Sequence, residues 1–360
     1  NMKYLFVACL LCLSVLSAVA KVPAMNKIRL TNNWEYLKGD LGGIWEAVRP
    51  AAPGSSEAVP IWQPVTLPHC FNAEDAVDPD VNYYEGPGWY KTLLAIDNPY
   101  RNGRIVLDFD GAGQKTDVYV YTTHVGSHVG GYDSWNVDIT DAVKAFLGSK
   151  DAERFKGKVP LSIRCDNSRD LEMIPSDLAD FNIYGGLYRY LNLVYLPEVS
   201  FEQIHLESSL SSNLKEGILK VKTSFYNPED IRKADVTVSV YDVDRKPVFS
   251  KTLEGILPLG DQLLAKMKIK NPVLWDVDVP QLYTCELTVK TPDQTFTTEE
   301  RFGFRHTEFK DKGPFFLNGK HLLLRGTHRH EDHAGMGRNS LVSGRSWRRC
   351  LQKTSPSDAC

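Results

Sequence analysis

Apolar and polar residues alternate in short runs along most of this chain, with the period of two that belongs to strands. Thr116-Asp-Val-Tyr-Val-Tyr121 alternates cleanly, and Ile105-Val-Leu-Asp-Phe109 is a second strand signal. Gly, Pro and Asn punctuate the runs as turn formers do. Helical periodicity is nearly absent, with residues 141–147 as the one short candidate. Residues 21–197 therefore read as a sandwich or jelly roll. In residues 198–306 the alternation sharpens. Leu219, Val221, Thr223 and Phe225 share one parity while Lys220 and Lys222 take the other, and Val236-Thr-Val-Ser-Val240 repeats the pattern. A block of roughly a hundred residues with short, regularly spaced strands fits an immunoglobulin-like β-sandwich.

The pattern changes in residues 307–337. Phe315-Phe-Leu-Asn-Gly-Lys-His321 predicts a hairpin turning at Asn318-Gly319. Leu322, Leu323 and Leu324 are apolar on both parities, which predicts a strand buried on both faces. The dense polar cluster Arg325-Gly-Thr-His-Arg-His-Glu-Asp-His333 follows at once. A buried parallel strand ending in polar residues is how a (β/α)8 barrel presents its active site. One strand closes no barrel, and the other seven would take roughly two hundred further residues. Residues 338–360 hold four Arg, five Ser and two Cys with no apolar period. They read as an aberrant, out-of-frame tail rather than a natural continuation of a barrel.

Charge excludes more than it identifies. With 42 basic and 45 acidic residues, nothing argues for nucleic acid or an anionic membrane as partner. The start of the chain reads as a signal peptide over residues 1–20, built from Lys3, an apolar run over residues 5–16, and the small-x-small site Ala18-Val19-Ala20. That run is short for a bilayer span. The expectation is export, periplasmic or secreted, with Lys21 as the first mature residue and no membrane association after cleavage. Of the seven cysteines, Cys165 and Cys285 share the parity of their apolar neighbours, so buried thiols are expected rather than a disulfide. His330-Glu-Asp-His333 is one residue short of the helical H-E-x-x-H pair and follows a strand, so no metal site is expected there.

Several motifs in order resemble glycoside hydrolase family 2, which contains β-galactosidases, β-glucuronidases and β-mannosidases. They are Leu67-Pro-His-Cys-Phe-Asn72, Gly86-Pro-Gly-Trp-Tyr90, Gly130-Gly-Tyr132, Asp180-Phe-Asn-Ile-Tyr-Gly-Gly-Leu-Tyr-Arg189, Leu274-Trp275, Arg301-Phe-Gly-Phe-Arg305 and the cluster at residues 325–333. The resemblance implies a mainly β chain: a jelly-roll sugar-binding domain, an immunoglobulin-like β-sandwich, then the first hairpin and strand of an incomplete (β/α)8 barrel. It implies retaining hydrolysis of a β-glycosidic bond by two Glu residues about 5 Å apart, both beyond residue 337, so no catalytic residue is expected in this chain. Asp180, His330 and Asp332 are the implied substrate-binding residues, although Asp180 also suits a plain turn. The resemblance further implies a β-galactoside-type glycan as partner and homo-oligomers at full length. It implies no cofactor in this chain, with Mg or Na ions in full-length relatives. Within the family the Asp180 segment favours β-galactosidase over β-glucuronidase or β-mannosidase. A non-catalytic, lectin-like carbohydrate-binding protein is the alternative from another class.

Overall fold

The computed structural model describes residues 26–50, 60–75, 78, 80–176, 181–227 and 233–326. The signal-peptide segment, Asp180, His330, Asp332 and the tail expected over 338–360 all lie outside the described residues.

Ten strands build the first sandwich: β1 (Asn26–Arg29), β2 (Trp34–Lys38), β3 (Gln63–Val65), β4 (Pro87–Leu94), β5 (Arg104–Phe109), β6 (Lys115–Val120), β7 (Thr123–Val129), β8 (Trp135–Asp138), β9 (Val159–Asp166) and β10 (Leu191–Leu196). One sheet has the order β1-β10-β5-β8 and the other β3-β2-β4-β9-β6-β7, with all pairs antiparallel. Alternation in β6 sends Thr116, Val118 and Val120 inward, at most 1% exposed. They meet Leu107 and Phe109 of the facing sheet, both fully buried in the same cluster. Cys165 is buried in that core as a free thiol, and burial pushes it up to about 12. The β6–β7 turn falls at Tyr121-Thr122, with Tyr121 at φ 54°. The helix expected at 141–147 is α2 (Thr140–Leu147), which follows α1 (Trp45–Val48) and precedes α3 (Asp151–Arg154). Among the described residues no helix is long and apolar enough to cross a membrane.

Seven strands make the second sandwich: β11 (Ser200–Leu210), β12 (Glu216–Tyr226), β13 (Ala234–Tyr241), β14 (Pro247–Ile256), β15 (Gly260–Lys270), β16 (Tyr283–Lys290) and β17 (Thr295–Phe302). They form sheets β11-β12-β15 and β14-β13-β16-β17, the strand count of an immunoglobulin constant-type sandwich. Leu219, Val221, Val236, Val238 and Val240 are fully buried between the sheets. Cys285 joins them as a free thiol. The opposite parity of β12 places Lys220 and Lys222 beside Glu207 of β11.

Polar and apolar contacts join the sandwiches. Arg104 stacks its guanidinium 3.4 Å above the Tyr226 ring and reaches Glu202 at 3.4 Å. Gln294 Nε2 donates to the Arg101 carbonyl at 2.7 Å. Tyr100 and Leu196 then pack against the second core.

The third block gives a sheet of β18 (Thr307–Phe309), β19 (Phe315–Leu317) and β20 (Lys320–His321). Its turn lies at Asn318 and Gly319, with φ 52° and 77°, the two positive values that a two-residue hairpin loop requires. The strand expected at residues 322–324 is a point of difference. Strand β20 ends at His321, and Leu323 and Leu324 are 64% and 62% exposed. A strand buried on both faces needs strands on both edges and cover on both sides. Here the Leu322 N–H extends the hairpin by bonding the Phe315 carbonyl at 2.9 Å, and the described residues supply no further strand. No closed barrel is present among them.

Replacing fully buried Leu107 by Ala should cost about 2–5 kcal/mol of folding stability in urea unfolding. Val248→Ala on the exposed edge strand β14 should stay within about 0.5 kcal/mol.

Candidate functional site

Four of the motifs meet at one end of the first sandwich, where strands give way to loops whose polar backbone has no sheet partner. The chain solves this with carboxamides. Asn72 and Asn167 are both fully buried. Asn167 Nδ2 donates to the carbonyls of Tyr84 and Ile183 at 2.8 and 2.7 Å, while its Oδ1 accepts from the Gly86 N–H at 2.9 Å. Asn72 Nδ2 donates to the same two carbonyls at 3.4 and 3.0 Å and to Asn182 Oδ1 at 3.3 Å. Its Oδ1 accepts from the Gly185 N–H at 3.0 Å. The segments around residues 72, 84–86 and 182–185 are thus held by two side chains. Amides suit this because each offers donors and acceptors at once.

Glycines allow the close approach. The Phe71 ring lies in a slot between Gly88 and Gly185, and a Cβ at Gly185 would sit 2.1 Å from it. Gly186 takes φ +105°, and a Cβ there would meet Tyr90 Oη at 2.4 Å. Backbone bonds complete the seam: His69 N–H to Leu187 O at 2.8 Å and Gly113 N–H to Gly186 O at 3.0 Å. Tyr188 Oη donates to Gly131 O at 2.5 Å, which brings in the Gly-Gly-Tyr motif.

Behind the seam, His69 Nδ1 lies 2.8 Å from Tyr90 Oη. Burial lowers the His69 imidazole from its ordinary 6.5 to about 4, and burial raises the Tyr90 phenol well above 10. Both groups are neutral at pH 7. Trp89 is 2% exposed with Nε1 bonded to Asp40 at 3.1 Å. Trp135 stacks 4.0 Å from Phe109. Trp135 packs against the sandwich core, whereas Trp89 lies on the outer face of the sheet under Tyr119, 5.7 Å away, so neither forms an open stacking platform.

Of the residues singled out for substrate, Asp180 directly precedes the clamped segment in the chain, and His330 and Asp332 belong to residues 327–360; all three lie outside the described residues. Among the described residues no three His, Cys, Asp or Glu side chains gather to hold a metal. Sequence reasoning missed Asn167. Its only signal is its place in Cys165-Asp-Asn-Ser168, where strand β9 ends, and such a residue reads as a turn former.

Residues 40–197 match the sugar binding domain of glycosyl hydrolases family 2, and residues 199–305 match glycosyl hydrolases family 2. The chain belongs to glycosyl hydrolases family 2. It is similar to the crystal structure of Parabacteroides merdae β-glucuronidase, with 95% identity, a TM-score of 0.88, and coverage of 92% of this chain and 42% of that one. Bacteroides uniformis β-glucuronidase 3 follows at 51% identity and a TM-score of 0.84, with coverage of 92% and 42%. A protein named putative β-glucuronidase from Formosa agariphila is 35% identical over 86% of this chain and 35% of its own length. Curated β-galactosidases of the family match at 25% and 28% identity. The chain thus spans well under half the length of these relatives.

Two outcomes follow from the loop geometry. Asn167→Ala strands the Gly86 N–H and should cost about 1–3 kcal/mol, with faster amide exchange at Gly185 and Gly186. For His69, the unfolded chain takes up a proton below pH 6.5 that the folded chain refuses down to about pH 4. Stability should therefore fall as pH drops through that window, by about 3 kcal/mol in full. His69→Gln should flatten this part of the stability–pH curve measured by denaturation.

Proposed function

We propose that this chain is the sugar-binding, immunoglobulin-like and barrel-entry portion of a retaining β-glucuronidase. The observation that carries the reading is the 95% identity to the P. merdae β-glucuronidase over 92% of this chain. The preference for β-galactosidase rested on the Asp180 segment alone, and the relatives of that name stand at lower identity. The clamped loops support the reading physically. They fix the backbone of residues 182–185, the described segment that follows Asp180 in the chain. In this reading Asp180, His330 and Asp332 accept and donate hydrogen bonds to sugar hydroxyls. Two Glu residues further along supply nucleophile and acid/base. Export belongs to the same reading, supported by Lys3, the apolar run and Ala18-Val19-Ala20.

The test is hydrolysis. Protein that continues this chain to the length of its relatives should cleave p-nitrophenyl β-glucuronide over the β-galactoside by a factor on the order of 10⁴. A site built to bond one polar substituent discriminates to that extent against a substrate lacking it. Asp180→Ala and Asp332→Ala should lower kcat/KM about a hundredfold or more. Residues 1–360 alone should show no turnover above buffer. Preference for the galactoside in the longer protein would overturn the reading.

A further inference from the structure

The outer face of the six-stranded sheet carries a cleft of about 660 Å³ where strands β2, β4 and β9 run under α1 and the end of α3. The seam described above does not use it. Pairing across the sheet fixes its floor: Glu35 lies opposite Lys91, Lys91 opposite Ser162, and Leu93 opposite Pro160. Leu93 points out of the core and is 47% exposed, which is unusual for a Leu in an inner strand of the sheet. Phe155 stands beside it as an apolar wall.

The polar groups are of one kind in excess. Lys91, Lys158 and Arg49 line the cleft against a single carboxylate, Glu35. Glu35 reaches Lys91 only at 3.6 Å, and Arg49 is paired with Glu46 at 2.8 Å. Lys158 has no ion pair or hydrogen bond through its ammonium among the described residues. Ser162 is 1% exposed, and its hydroxyl is buried without a hydrogen-bond partner.

We propose that this cleft binds a glucuronate ring. The apolar wall of Leu93, Pro160 and Phe155 receives the C–H face of the pyranose. Lys158 and Lys91 take the carboxylate in charge-assisted hydrogen bonds, and Glu35 bonds ring hydroxyls. A bare inorganic anion would leave the apolar wall unused, and a neutral sugar would leave Lys158 unpaired. The choice of glucuronate over other acidic sugars rests on the β-glucuronidase reading; the cleft and its charge do not.

The experiment is calorimetric titration of the full 360-residue chain with methyl β-glucuronide, methyl β-glucoside and sodium acetate, and with a disaccharide ending in β-glucuronate. Methyl β-glucuronide should bind, and the glucoside and acetate should not at the same concentrations. Tighter binding of the disaccharide would assign the site to a glycan chain end, and equal binding to a small glucuronide. Lys158→Glu and Leu93→Asp should each weaken binding about tenfold or more with the unfolding midpoint checked in parallel. Lys158 is exposed, so Lys158→Glu keeps the test open if Leu93→Asp fails to fold. No binding, equal binding of glucoside or acetate, or unchanged binding in Lys158→Glu would overturn the proposal. Hydrolysis by the longer protein separates the two readings. Glucuronide turnover without binding at this cleft sinks the cleft alone. Galactoside-selective turnover with glucuronate bound here sinks the β-glucuronidase reading alone.

Discussion

The backbone carbonyls of Tyr84 and Ile183 each accept from both Asn72 and Asn167, and the functional end of the first sandwich is organised around that shared pair of acceptors. Loops of this kind cannot borrow a sheet's ladder, and each buried polar group left unpaired would cost about as much as a small protein can spare. Two fully buried amides satisfy four backbone groups here, the Tyr84 and Ile183 carbonyls and the Gly86 and Gly185 N–H groups, and Asn72 also bonds the Asn182 side chain at the start of the clamped segment. Such networks are unforgiving, because low local dielectric strengthens every bond made and penalises every bond missing. The glycines at 88, 185 and 186 belong to the same constraint. They give Phe71 and Tyr90 the space that lets the loops close on the amides.

Other contacts join the first sandwich to the second and the second to the hairpin. Arg104, with 11% of its side chain exposed, caps the Tyr226 ring and ties the first sandwich to the second. Phe304 is fully buried in the second core, and Gly217 must lack a side chain because a Cβ would lie 2.7 Å from that ring. Trp275 N–H bonds the Phe304 carbonyl at 2.8 Å, and Asn318 Nδ2 bonds the Trp275 carbonyl at 3.0 Å. The hairpin that follows is thereby hung on the second sandwich by a residue of its own turn. A side-chain amide again does what the sheets cannot.

Strands were legible because their signal is local. Parity grouped Thr116, Val118 and Val120 on one face and Leu219 and Val221 on another, and these faces are the buried ones. Buried thiols at Cys165 and Cys285 followed from the same parity. The short helices α1 and α3, four residues each, carry too little period to read. The leucines at 322–324 misled because a run apolar on both parities states a need for cover without saying what supplies it. Asn167 was illegible for a different reason. Its partners lie 16 to 83 positions away, and no local pattern encodes a partner at that range.

By itself, then, the sequence determined the period-two alternation, the two apolar cores, the Asn318-Gly319 turn and, through its ordered motifs, membership of glycosyl hydrolases family 2. Alternation and turn chemistry act over a few residues, so they are written where they act. Tertiary structure alone decided which amides clamp which loops, that His69 is held neutral against Tyr90, and that Lys158, Lys91 and Leu93 share one cleft. These depend on burial and on partners brought together from distant strands, and desolvation is a property of the packed molecule that no single residue carries in its name.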